Sequence, residues 1–155
     1  MVAELVRDGL LERHVPTLRA RYGAQRDAMA AALPAALPPG SAWRAPQGGM
    51  FFWLRLPEGL DATALLPRAL QAGLAYVPGA PFYAARADAR TLRLSFVTLD
   101  AAQIAHGVAT LGRLLHAALA ERDGRRAGGV PVAADAAATV NARAASRSML
   151  PQEAP

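Results

Sequence analysis

The chain has 155 residues, 38 of them alanine, with 17 basic and 12 acidic residues and a formal net charge of +5 at pH 7. Every basic residue is arginine, and the absence of lysine and cysteine excludes side-chain Schiff bases, disulfides, thiolate nucleophiles and thiolate zinc sites within this sequence. Arginines and acids alternate without a basic stripe, and no segment has the roughly 18 consecutive apolar residues of a membrane helix, so we expect a soluble, cytoplasmic chain that binds neither nucleic acid nor membrane.

The residue pattern in the first part of the chain predicts a helix. Apolar residues repeat at helical spacing as far as Leu33. Pro16 removes a backbone donor and should break or kink the helix, so we expect two helical pieces, roughly 2–14 and 17–33. The segment from Pro34 to Gly40 is expected to close the second piece because its prolines and glycine cannot continue a helix.

The period then changes from 3.6 to 2, which is typical of strands. We predict a short strand at 43–45, a turn at 46–49 and a strong strand at 50–56. Met50, Phe52, Leu54 and Leu56 would share one face of the strong strand, and Phe51, Trp53 and Arg55 the other. A strand with bulky residues on both faces is usually covered on both sides.

A second helix is predicted after Asp61, which offers an N-cap, and Gly73 is placed to end it. A short strand at 74–77 should follow. The chain then turns into a loop that contains Phe82 and Tyr83.

The last strand is predicted at 91–97, with Leu92, Leu94 and Phe96 pointing one way and Arg93 and Ser95 the other. Asp100 and Gln103 have the spacing of a capping box at the start of a long final helix. The apolar stripe of that helix would consist of Ile104, Val108, Leu111, Leu115 and Leu119.

These elements predict an α+β, two-layer sandwich: a small, mostly antiparallel sheet with helices on one face. We expect a helix in 1–16 that connects to the folded unit, the folded unit itself at 17–120, and a disordered tail at 121–155 that has too few large apolar residues to form a core. The sheet face opposite the helices would be bare and aromatic. Such faces are rare in monomers, so we expect something to dock there.

Residues 17–119 resemble the C-terminal small domain of fold-type I, PLP-dependent aminotransferases of classes I and II. The similarity is closest to the branch with 2-aminoadipate-type transaminases and the aminotransferase-like half of MocR regulators. It rests on four segments in the right order, namely RYGAQRDAMAAAL (21–33), APQGGMFFWLRLPEGLDA (45–62), AYVPGAPFY (75–83) and LRLSF (92–96).

The resemblance implies that Arg93 binds the substrate α-carboxylate. A guanidinium suits this role because its planar fork donates two parallel charge-assisted hydrogen bonds. The resemblance also places Gly49, Met50 and Tyr83 near the substrate, whereas Phe51 and Trp53 are expected to be packing groups. We expect no catalytic, cofactor-binding or metal-binding residue in this sequence, its three histidines included.

The resemblance further implies that the catalytic lysine and most of the PLP site belong to a large domain that is missing from this sequence. The complete enzyme would be a homodimer that acts on an amino acid and a 2-oxo acid. We therefore expect the chain to be the C-terminal portion of such an enzyme, and inactive by itself because it has no lysine for PLP.

Two alternatives remain open at this point. The chain could be the effector-sensing C-terminal part of a MocR-type transcriptional regulator, whose winged helix would bind DNA. It could also be a free-standing interaction module that docks through the bare sheet face.

Overall fold

The computed structural model describes residues 9–127. These residues form helix α1 (Leu10–Ala36), strands β1 (Ala42–Arg44) and β2 (Phe51–Arg55), helix α2 (Ala62–Gln71), strands β3 (Val77–Pro78) and β4 (Thr91–Ser95), and helix α3 (Ala101–Ala127). A single 3-10 turn, Ala80–Phe82, follows β3. The element order is the predicted one, and the α+β fold class is confirmed.

Helix α1 corrects the prediction of two pieces. It runs without interruption through Pro16 and into Pro34, and ends at its C-cap, Leu37. Proline has a backbone φ that is already helical, so its main costs are one lost donor and crowding with the preceding turn. The α1 helix accommodates both prolines, and Pro38 and Gly40 lie beyond its end. The predicted helical residues 2–8 lie outside the described part of the chain.

The sheet is antiparallel throughout, with strand order β1-β2-β4-β3. Trp53 of β2 and Val77 of β3 both pair with Arg93, which therefore lies in the middle of the sheet. Strand β3 has only two residues and begins at Val77, near the end of the predicted strand at 74–77. The other strands match their predictions to within one or two residues at each end.

Both predicted N-terminal caps are confirmed. The Asp61 carboxylate accepts hydrogen bonds from the backbone N–H groups of Thr63 and Ala64, at 2.7 and 3.1 Å. Asp100 and Gln103 form the reciprocal bonds of a capping box, at 2.8 and 3.0 Å. Helix α3 extends to Ala127, past the predicted start of a disordered tail at 121, and the tail from 128 onward lies outside the described residues.

The core lies between the helices and one face of the sheet. Its largest fully buried side chains come from β2, β4, α1, α3 and the residue just after β4, and include Phe52, Leu54, Leu92, Phe96, Leu33, Ile104, Leu111 and Leu115. Gln25 of α1 is also buried, and its amide donates to the carbonyls of Val97 and Leu99 just after β4. Among residues 9–127, no helix is long and apolar enough to cross a membrane.

Candidate functional site

The sheet face opposite the helices is open and aromatic. Because side chains alternate along a strand, burying Phe52 and Leu54 turns Phe51 and Trp53 outward. Five large apolar side chains on this face and its adjoining loop are between 36% and 53% exposed, namely Phe51, Trp53, Val77, Phe82 and Tyr83. This settles the question that the strand pattern left open, namely which side of β2 is bare.

Arg93 lies at the centre of this face, where it is half-buried and close to two aromatic rings. Its Cζ atom is 4.0 Å from the centroid of the Phe51 ring and 4.8 Å from that of the Phe82 ring. Both distances are within the range of a cation–π interaction. Phe51, which was expected to be a packing group, packs its ring against the Arg93 guanidinium.

Arg93 differs from its neighbour on the same face, Arg55. The Nε of Arg55 donates to the Asp88 carboxylate at 2.6 Å. No acidic side chain in the described part of the chain pairs with Arg93, and its buried Nε has no hydrogen-bond partner there. A half-buried cation without a counter-ion is well placed to receive an anion.

Gly49 and Met50 lie just before β2. Gly49 has a φ of 79°, a conformation that favours glycine, and the Met50 carbonyl accepts a hydrogen bond from Phe96 N–H. Gly49 lines a groove of about 480 Å³ together with Arg19 and Arg26, and Arg93 is not among the residues that line it. The structure thus places Gly49 in a groove that does not include Arg93, and Met50 follows it in the chain without lining that groove.

Tyr83 lies on the aromatic face with Arg93. Its ring centroid is 6.4 Å from that of Trp53, which is the cross-strand partner of Arg93. The loop that carries Tyr83 and Phe82 is fixed to β4 at Gly79, whose N–H donates to the Thr91 carbonyl at 2.7 Å. Of the four residues predicted to contact substrate, Arg93 and Tyr83 are therefore on one surface.

Sequence reasoning missed two residues that shape this surface. Phe82 was recognised only as a loop residue, because nothing in a loop sequence shows where its ring will lie. Asp88 was not singled out, although it accepts from Arg55 and from the N–H of Arg90. Its position shortly before an Arg-containing strand was the one available signal.

The arrangement presents a cation to the open face and offers PLP no side-chain amine for covalent attachment. The guanidinium of Arg93, with its orphaned Nε, fits an anionic group that approaches the open face. Covalent attachment requires an amine side chain, and none of the 155 residues is lysine. The residues of this chain therefore fit a substrate carboxylate and do not fit the covalent site of the cofactor.

No family model matches the chain. It is 44% identical over 120 residues to the 2-aminoadipate transaminase of Thermus thermophilus, a match that covers 77% of this chain. It is 40% identical over 110 residues to the aromatic-amino-acid aminotransferase 1 of Thermococcus litoralis, covering 71% of this chain. Both relatives are much longer, and the chain spans 30% of the first and 26% of the second.

A solved structure shows the same fold. The kynurenine aminotransferase of Pyrococcus horikoshii, in complex with PMP and KYN as substrates and KYA as products, superposes with a TM-score of 0.70 at 43% identity. The match covers 74% of this chain and 28% of that one. The similarity therefore includes most of the residues described here but a minor part of the solved protein.

Proposed function

Because this chain belongs to the aminotransferase family over about three quarters of its length, we propose that it is the small domain of a PLP-dependent enzyme. The enzyme would transfer an amino group between an amino acid and a 2-oxo acid, and Arg93 would bind the substrate α-carboxylate. The single observation that supports this role is the half-buried Arg93 guanidinium, which has no acidic partner among the described residues.

In this proposal Arg93 orients the substrate. Two parallel N–H···O bonds from one guanidinium fix both the position and the plane of a carboxylate. Fixing the carboxylate fixes the Cα of the amino acid relative to the reacting groups, which lowers the entropic part of the barrier. Lysine could supply the charge but not the planar pair of donors.

The covalent site for PLP would belong to a large domain that is outside this sequence. Since none of the 155 residues is lysine, this chain supplies neither the covalent attachment nor an amine base. We expect the purified chain, mixed with PLP and reduced with borohydride, to gain no side-chain adduct. A stoichiometric adduct on a residue other than the α-amino terminus would contradict this division of roles.

The alternative that the chain is part of a MocR-type regulator would use the same Arg93 site, because an effector amino acid also carries an α-carboxylate. The relatives described above are aminotransferases, which favours the enzyme. The reading frame upstream of Met1 discriminates between the two: a lysine-bearing large domain alone supports the enzyme, and an additional winged helix supports the regulator.

The proposed function is tested most fully in a chimera. The matching segment of the Thermus thermophilus relative is replaced by this chain, and transfer from L-2-aminoadipate to a 2-oxo acid is measured. We expect Arg93→Gln to lower kcat/KM by about 10- to 100-fold, because it removes a charge-assisted pair of hydrogen bonds. Arg93→Lys should restore part of the loss.

Arg44→Gln is the matched control. Arg44 pairs with Trp53 across the sheet, so it lies on the same face, and its substitution removes the same charge. It should change kcat/KM less than twofold. Equal effects of the Arg93 and Arg44 substitutions, or a chimera that retains bound PLP but transfers no amino group, would contradict the proposal.

A further inference from the structure

The two rings beside Arg93 come from separate parts of the chain. Phe51 begins β2, whereas Phe82 ends the 3-10 turn after β3. Strands β2 and β3 are the two neighbours of β4, so the rings reach the guanidinium from both sides of the strand that carries it. Their centroids are 4.0 and 4.8 Å from Cζ.

Ring contacts, and not hydrogen bonds, hold this guanidinium. Its Nε is buried and has no partner within residues 9–127. A free arginine side chain has many rotamers, and ordering it upon binding costs conformational entropy. Two rings this close to Cζ would remove part of this freedom before a ligand arrives.

The position of the Phe82 ring is set by contacts of its own turn with β4 and by the Trp53 ring. Gly79 lies so close to β4 that a Cβ at this position would collide with the Thr91 side chain. The N–H of Phe82 donates to the Gly79 carbonyl at 2.9 Å, which ties the turn to that contact. The Trp53 ring meets the Phe82 ring edge-on, with centroids 5.8 Å apart.

We propose that Phe51 and Phe82 are positioning residues. They hold the Arg93 guanidinium between their rings, so that its Nη groups remain available as donors to an incoming carboxylate. This inference rests on the proposed function for its ligand. The claim that the rings restrict the guanidinium is independent of that ligand and is measured separately.

The experiment uses the full 155-residue chain with isotope-labelled arginine. NMR reports rotation about the Nε–Cζ bond of Arg93, and pyruvate is the carboxylate that is titrated. We expect Phe82→Leu to speed this rotation and to weaken pyruvate binding by about two- to fivefold, the contribution of one exposed cation–π contact. Phe82→Tyr keeps an aromatic ring and should restore both values, which a merely apolar contact would not require.

Two further variants complete the design. Phe51→Leu tests the second ring and should have the same effects, so the proposal does not depend on the folding of a single variant. Leu70→Ala removes an exposed apolar side chain of α2, away from Arg93, and should change neither value.

Unchanged rotation and unchanged affinity in both leucine variants would overturn the positioning role. Faster rotation in the variants, with no saturable pyruvate binding even by the unmodified chain, would support the positioning of the guanidinium. That second result would instead contradict the proposed function. Failure of the two proposals is therefore distinguishable in one set of samples.

Discussion

At the scale of single residues, Arg55 and Arg93 show how surroundings decide what an arginine can do. Both lie on the open face of the sheet, yet Arg55 is neutralised by Asp88 at 2.6 Å. Arg93 has aromatic rings where Arg55 has a carboxylate. Strand alternation was sufficient to predict the face on which Arg93 lies. It could not predict that Asp88, a loop residue, would pair with Arg55 and that no described acidic residue would pair with Arg93.

Tyr76 is a buried residue whose ionisation should make the free energy of unfolding depend on pH. Its hydroxyl donates to the carbonyl of Ala62 at 2.7 Å. Burial, with a smaller contribution from the Asp61 charge, raises the pKa of Tyr76 from 10.0 to about 12. The folded protein therefore holds this proton more tightly than the unfolded chain does.

We expect the free energy of unfolding to fall as the pH rises from 10 toward 12. The contribution of Tyr76 is fully present below the unfolded pKa, and about 2 kcal/mol is lost by the folded pKa. Urea unfolding at a series of pH values measures this slope. Tyr76→Phe should reduce the slope and lower stability at neutral pH by about 1 kcal/mol through the lost hydrogen bond.

Tyr83→Phe is the control, since it replaces an exposed phenol of the aromatic face. It should leave the free energy of unfolding at neutral pH nearly unchanged. An unchanged slope in Tyr76→Phe would mean that another group causes the loss of stability at high pH.

At the scale of elements, sequence rules correctly predicted the helix starts that depend on hydrogen bonds between residues close together in the chain. The capping residues Asp61 and Asp100 start α2 and α3 as predicted, because each carboxylate bonds to amides two or three residues ahead. The prediction of two helical pieces was wrong at Pro16: α1 continues through this residue, although its buried side chains begin only at Gln25. The φ of proline is compatible with a helix, and the cost is one lost donor and crowding with the preceding turn.

The contact between α1 and α3 is close because of Gly112. A Cβ at this position would collide with the carbonyl oxygen of Ala36, a backbone atom that cannot move alone. We expect Gly112→Ala to destabilise the chain by about 1–3 kcal/mol, the usual cost of overpacking. Urea unfolding followed by circular dichroism measures the loss.

Gly107→Ala is the matched control on the same helix. Its Cβ would lie 3.8 Å from Leu74 Cδ1, an ordinary contact. Because alanine favours helix more than glycine, this variant should be stabilised by up to about 1 kcal/mol. Equal effects of the two substitutions would show that the helices are not in close contact at Gly112.

At the scale of the whole molecule, residues 9–127 form a sheet with one face sealed by the helices and one open face. The binary pattern predicted this division, because Leu92 and Leu94 are apolar and Arg93 between them is not. The sequence could not show that the Phe82 ring would contact Arg93. That contact depends on the loop conformation, which is fixed by the hydrogen bond from Gly79 N–H to the Thr91 carbonyl. The open face, with Arg93 at its centre, is the surface on which we expect a large domain and a substrate to meet.

The most direct test of this account is pyruvate binding by the 155-residue chain, followed by NMR at the guanidinium signals of Arg93 and Arg44. We predict that the Arg93 signals shift and saturate, that the Arg44 signals hardly move, and that Arg93→Gln abolishes the saturable response while Arg44→Gln preserves it. Parallel, unsaturable shifts at both arginines would contradict the central claim that Arg93 is a carboxylate-binding residue.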